Sequence, residues 1–195
     1  VYTYRKKLGE QLAIENKIKA DVVVPVLDSG VSAALGYAQK SKIPFELGLI
    51  RSHYVGRTFI EPTQNIRQFG VKLKHSVNKS CISNKRVILI DDSIVRGTTA
   101  KKIVKELFDS GAKEVHLGIG CPPITHPDFY GIDTPSHEEL IASSKNIKEM
   151  EKIIGVNSLF FLSLDGTYKA MGYKKRNAKS PQFTDHCFTG DYPVK

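Results

Sequence analysis

The stretch from Val87 to Thr99, VILIDDSIVRGTT, constrains this chain more than any other. Val87, Ile88, Leu89 and Ile90 form an unbroken apolar run, three of them β-branched, which is the pattern of a central strand covered on both faces. The run ends on two adjacent carboxylates, Asp91 and Asp92. A short polar turn leads to Gly97-Thr98-Thr99, and AKKIVKELFDSG follows. There Ile103, Val104, Leu107 and Phe108 make an apolar helical stripe, and Ser110-Gly111 is a stop. Acidic groups thus sit at the carboxyl end of a buried strand, beside a turn that opens a helix. Open α/β sheets bind ligands in that crevice, and the unpaired amides of a helix start favour phosphate.

The two halves suit two ends of one ligand. Asp91 and Asp92 can accept hydrogen bonds from vicinal hydroxyls or hold Mg²⁺, directly or through water. Ser93, Ile94, Val95, Arg96, Gly97, Thr98 and Thr99 offer backbone amides, hydroxyls and one guanidinium, which suit a phosphate monoester. A phosphorylated sugar satisfies both halves. An acidic strand end followed by a plain helix cap fits the same residues. A Walker B strand is a rival, but the chain has no G-x-x-x-x-G-K-[ST] loop to accompany it.

A second strand, turn and helix precede this one. Asp21 to Pro25 supplies the apolar run VVV, and Pro25-Val26-Leu27-Asp28-Ser29-Gly30 makes a tight loop. Val31, Ala34, Leu35 and Ala38 then fall at helical spacing. A Ser-Gly helix start is usually a cap; repeated ahead of two strands, the arrangement reads as an anion site. Before it, Thr3 to Lys17 forms an amphipathic helix on Tyr4, Leu8 and Leu12, weakened by Gly9 and laid over the sheet. A strand is expected over Phe45 to Ile50. Residues 51–75 then read as a functional lid, since a long polar segment inside a compact domain is seldom a linker.

Beyond the central unit, Glu114 to Ile119 reads as a strand broken by Cys121-Pro122-Pro123. Ser136 with Glu139 reads as a capping box. Ile147 to Ile154 is a helix closed by Gly155, and Ser158 to Ser163 a last strand. Residues 165–195 read as a tail packed around the outside. The fold class expected is α/β: an open, mostly parallel sheet flanked by helices, as one domain over residues 1–195.

Charge and cysteines narrow the partners. Of 195 residues, 29 are basic and 20 acidic, a net charge of +9, and eight Lys/Arg against one acid fall between Arg51 and Arg86. That segment attracts a polyanion, whether a diphosphate or a nucleic acid. No apolar run approaches a membrane span, and three well-separated cysteines (Cys81, Cys121, Cys187) fit a reducing, cytoplasmic setting. The chain starts at Val1 rather than Met, so the gene's start is expected to lie upstream.

DDSIVRGTT resembles the phosphoribosyl pyrophosphate (PRPP) motif of type I phosphoribosyltransferases, and its wording is most similar to the glutamine PRPP amidotransferase family of de novo purine synthesis. DVVVPVLDSG, YVGRTFIEPTQNIR, GAKEVH, FYGIDTP and CFTGDYP resemble that family's segments in order. The resemblance implies displacement of pyrophosphate from PRPP by ammonia, glutamine-derived in the full-length enzymes, with Mg²⁺ as cofactor. It assigns Asp28, Ser29 and Gly30 to a pyrophosphate loop, despite Leu27 where a proline is usual. It assigns Ser93 to Thr99 to the 5′-phosphate and Ser29, Asp91 and Asp92 to the metal. Arg51, Tyr54 and Arg57 become the catalytic positions of a flexible closing loop.

Purine nucleotides are the implied feedback inhibitors and a homo-oligomer the implied assembly, with no membrane or nucleic-acid partner. The family's glutaminase domain begins with a cysteine nucleophile; that domain is expected to be absent here, so glutamine should not replace ammonia. Some members hold a 4Fe–4S cluster on four cysteines. Here Asp128 and Thr184 stand at two such positions and only Cys187 survives, so no cluster is expected. Two alternatives stay open: a nucleotide-sensing regulator that binds nucleic acid through Arg51 to Arg86, and a base phosphoribosyltransferase.

Overall fold

The apolar runs become strands covered on both sides. In the computed structural model, which describes residues 1–51, 75–131, 134 and 136–194, β1 (Val22–Pro25) is buried throughout. β4 (Arg86–Asp91) is buried along its centre. With β5 (Glu114–Ile119) and β6 (Ser158–Phe161) they form a parallel sheet in the order β1-β4-β5-β6. Val22 to Pro25 stand opposite Val87 to Ile90, and Asp91 stands opposite Ile119.

Side-chain alternation divides the core in two. Val87 and Leu89 join Val22, Val24, Leu117 and Ile119 on one face, under α4 (Thr98–Asp109) and α6 (Ile147–Ile154), which contribute Ile103, Val104, Leu107, Met150 and Ile154. Ile88 and Ile90 join Val23 and Phe160 on the other, under α1 (Tyr2–Glu15) and α2 (Val31–Ser41). Each face removes its apolar surface from water at about 25 cal/mol per Å², which is why the buried centre of β4, Val87 to Ile90, is apolar throughout.

Several expectations change. Gly9 does not weaken α1 so much as let it touch α2: a Cβ there would lie 1.8 Å from Ala33 O, and one at Gly36 would lie 2.0 Å from Lys6 O. α1 accordingly lies on α2, with Leu12 and Ala13 buried in the core and Leu8 packed against it, while Tyr4 is exposed. The strand expected over Phe45 to Ile50 is not continuous. Phe45 makes one parallel bridge to Val23. The chain then turns off the sheet, and β2 (Leu49–Arg51) pairs antiparallel with β3 (His75–Val77). Over this stretch Leu49 is covered while Leu47 and Ile50 are exposed.

The final strand stops at Phe161 because Ser163 caps α7 (Leu164–Ala170), accepting a hydrogen bond from Gly166 N at 2.8 Å. Ser136 forms no cap; His137–Glu139 is a single 3₁₀ turn. The capping box belongs to Asn146 and Glu149, at the start of α6. The tail is not only an outer wrapping. Tyr168, Asp185 and His186 are buried, and Asp185 accepts from Arg176 Nε at 2.6 Å and Tyr168 Oη at 2.7 Å. α8 (His186–Thr189) follows directly.

Candidate active site

The two strand-turn-helix units place the site. β1 and β4 are neighbours, yet the helices that follow them, α2 and α4, cover opposite faces of the sheet. That divergence opens a crevice beyond the carboxyl ends of β1 and β4, the ligand position of open α/β sheets. A pocket of about 350 Å³ fills it, lined by Val26, Leu27, Ser29 and the run Asp91 to Ala100.

Its floor is set by backbone contact. Gly30 has ordinary helical angles, so conformational freedom does not explain it. A Cβ there would stand 2.2 Å from Ile90 O and 3.0 Å from Val26 O. The loop therefore seats directly on β4, held by Val26 N donating to Ile90 O at 2.8 Å and Gly30 N to Val26 O at 2.9 Å. This brings Ser29 Oγ to 3.0 Å from Asp91 Oδ1, which also accepts from Asp92 N at 2.8 Å. Ser93 Oγ donates to Asp92 Oδ1 at 3.1 Å. Burial pushes the Asp91 carboxyl up to about 6; the Asp92 amide opposes the shift and the Asp92 charge adds to it. Ser29, Asp91 and Asp92 are oxygen donors of the kind a hard divalent cation takes.

The opposite end of the pocket is the turn that opens α4. Gly97 takes φ 75°, a conformation costly to residues with a Cβ, and α4 starts at Thr98 with no side-chain cap. Its first amides are therefore left to a ligand or water, with Thr98 and Thr99 exposed beside them. Arg96 Nε donates to Glu139 Oε1 at 3.0 Å.

Most of the sequence-predicted positions thus converge. Ser29 and Asp91 to Thr99 line one pocket. Gly30 is buried beneath it, and Asp28, joined to Leu27 by a cis peptide bond, is exposed outside the lining. Arg51 is described through its backbone at the end of β2; Tyr54 and Arg57 lie outside the described residues. Glu139 was missed as a site residue, since its spacing from Ser136 suggested a cap and nothing local links it to Arg96.

Burial pushes the Cys121 thiol far up, and burial with the Asp128 charge raises Cys187. Asp128, His186 and Cys187 bring one donor atom each within 4.8 Å of one another. One thiol, one imidazole and one carboxylate do not fit a four-thiolate iron–sulfur cluster. His186 Nε2 lies 2.5 Å from Asp128 Oδ1, a hydrogen-bond distance; two ligands on one tetrahedral ion stand roughly 3.4 Å apart. The rings of Tyr130 and Tyr192 pack against His186, with centroids 5.1 and 5.2 Å away. The cluster therefore pins the tail to the loop after β5.

Comparison with known proteins is consistent with this geometry. Residues 6–156 match the phosphoribosyl transferase domain family. This chain belongs to that family. Amidophosphoribosyltransferase of Rhizobium etli is 60% identical over 196 residues, covering the whole chain and 40% of the relative. The Bacillus subtilis amidophosphoribosyltransferase is 51% identical over 195 residues, again covering the whole chain and 41% of the relative. A solved structure of glutamine PRPP amidotransferase from B. subtilis, complexed with ADP and GMP, superposes with a TM-score of 0.88 at 51% identity, over the whole chain and 42% of the other. The chain thus spans about one third to two fifths of the length of the curated relatives it matches. As a phosphoribosyl transferase domain it has the open parallel sheet expected, and among its described residues no helix is long and apolar enough to cross a membrane.

Proposed function

We propose that the protein transfers the phosphoribosyl group of PRPP to ammonia, releasing pyrophosphate and forming 5-phosphoribosylamine, the entry step of purine synthesis. One observation carries the reading: a paired carboxylate and an uncapped helix start face each other across a single pocket. The spacing suits a ribose whose hydroxyls meet Asp91 and Asp92 while its 5′-phosphate sits on Arg96 to Thr99. The loop Asp28 to Gly30 takes the diphosphate side.

The transition state asks for a neutralised leaving group and support for positive charge developing on the sugar. Asp91 and Asp92 supply negative charge beside the ring and orient its hydroxyls. Ser29, tied to Asp91, fixes the loop next to the leaving group. Mg²⁺, when bound, neutralises diphosphate charge, and Ser29, Asp91 and Asp92 would hold it. No covalent enzyme intermediate is needed. Arg51, Tyr54 and Arg57 are assigned to closure over the diphosphate. Purine nucleotides are assigned as inhibitors that offer their own 5′-phosphate to the same turn, in self-associated, cytoplasmic protein; three unpaired cysteines support a reducing compartment.

The test is pyrophosphate release from PRPP and Mg²⁺ with ammonia, compared with adenine, guanine or hypoxanthine as acceptor. Release that depends on ammonia supports the reading. Release only with a base, or steeply salt-dependent binding to nucleic acid without release, would overturn it.

A further inference from the structure

Arg96 is the only basic side chain among the described residues that line the pocket, where Asp91 and Asp92 are the acidic ones. It is also half-exposed and long, with its side chain 53% accessible. A side chain of that kind in solvent samples many rotamers, and a phosphate must halt that motion to use it. Here one is already selected. Glu139 Oε1 accepts from Arg96 Nε at 3.0 Å, and among the described residues the guanidinium makes no other bond. The Nη donors, four N–H groups in a planar fork, remain available to an anion.

Glu139 is itself fixed. Ile141 N donates to Val95 O at 2.9 Å, joining the segment to the residue just before Arg96. Ile141 Cδ1 stands 3.1 Å from where a Cβ on Gly97 would lie, so the same segment packs on the residue just after Arg96. Leu140 is fully buried, and Ser143 Oγ bonds the carbonyls of His137 and Leu140 at 2.7 Å. Residues 137–143 thus form a brace stitched to both sides of Arg96. Solvent-exposed ion pairs add little to fold stability, so stability does not account for this one. Its geometric effect is to aim a guanidinium.

We infer that Glu139 is a positioning residue for the phosphate end of the site: it holds Arg96 by Nε so that the Nη edge meets the 5′-phosphate of the sugar. This rests on the assignment of the turn in the proposed function. The carboxylate's hydrogen-bonding oxygen does the positioning. Its charge works against the effect, because it repels an approaching phosphate dianion. Glu139→Gln keeps an oxygen acceptor and removes the charge; Glu139→Ala removes both.

Isothermal titration with ribose 5-phosphate, and separately with inorganic pyrophosphate, separates the roles. Immobilising one long side chain is worth about threefold to tenfold in affinity. Glu139→Ala should raise the Kd for ribose 5-phosphate by that factor. Glu139→Gln should stay within twofold of the unaltered protein or bind more tightly. Both variants should keep the pyrophosphate Kd and the thermal midpoint. Unchanged ribose 5-phosphate binding in Glu139→Ala would overturn the inference, as would a Gln variant as weak as the Ala variant. If the unaltered protein does not bind ribose 5-phosphate, the assignment of the turn fails and the inference fails with it.

Discussion

Gly30→Ala should be the most damaging single methyl in the site. Gly30 has φ −78° and ψ −10°, so alanine suffers no backbone penalty there and even removes some unfolded-state entropy, worth about 0.4–1 kcal/mol in its favour. The obstacle is steric. The new Cβ would stand 2.2 Å from Ile90 O, roughly 0.8 Å inside the closest separation real Cβ atoms keep, and both partners are backbone. Relief requires the loop to lift off β4. Overpacking of this kind costs about 1–3 kcal/mol. Lifting also strains the Val26–Ile90 and Gly30–Val26 hydrogen bonds, each worth about 1 kcal/mol. The net expectation is a loss of about 2–4 kcal/mol, read as a lower urea midpoint at unchanged slope. Gly155→Ala is the comparison: φ is +87° and nothing lies within 4 Å, so only left-handed strain of about 1–2 kcal/mol applies. PRPP binding should fall in Gly30→Ala and hold in Gly155→Ala. A Gly30→Ala protein as stable as the unaltered one, with intact PRPP binding, would refute the steric account of the loop.

Arg176→Ala leaves Asp185 buried without its cation, and should cost about 3 kcal/mol or more by chemical denaturation; a loss under about 1 kcal/mol would show that the tail does not depend on the pair. Burial alone would raise the Asp185 carboxyl, but hydrogen bonds from Arg176 and Tyr168 outweigh it and hold its pKa below the usual range. A depressed folded pKa stabilises above the unfolded value of about 3.9, so stability should fall as pH drops below about 4, and Asp185→Asn should flatten that slope; equal acid slopes in both proteins would count against it. Purified protein should be colourless and iron-free, because the donor set at Asp128, His186 and Cys187 lacks the thiolates of a cubane. Broad visible absorbance with stoichiometric iron would contradict this.

The strands and the turn that opens α4 were legible because single physical rules fix them locally. An unbroken apolar run followed by Asp-Asp identifies β4 and the acidic end that lines the pocket, and Gly97-Thr98-Thr99 identifies the start of α4. What was not legible depends on contacts distant in sequence. Glu139 obeys the spacing of a capping box with Ser136, yet Arg96, 43 residues earlier, takes its carboxylate. Gly9 reads as a weak point in a helix until Ala33 O is found 1.8 Å from its would-be Cβ. Asp185 and His186 look like tail residues, since a buried polar knot has no hydrophobic period to announce it. In the segment whose apolar residues suggested a longer strand, Leu49 is buried while Leu47 and Ile50 are exposed.

The most direct measurement is PRPP binding, with and without Mg²⁺, by the unaltered protein and by the Asp91→Asn, Asp92→Asn double variant, with thermal midpoints recorded in parallel. Both residues face the pocket at the end of β4, and Asp91 is already pushed towards neutrality by burial. Replacement should therefore leave the midpoint close to that of the unaltered protein. PRPP affinity should fall at least tenfold, and its enhancement by Mg²⁺ should be lost. A double variant that binds PRPP with unchanged affinity and unchanged Mg²⁺ dependence would contradict the placement of the ribose and metal at this strand end.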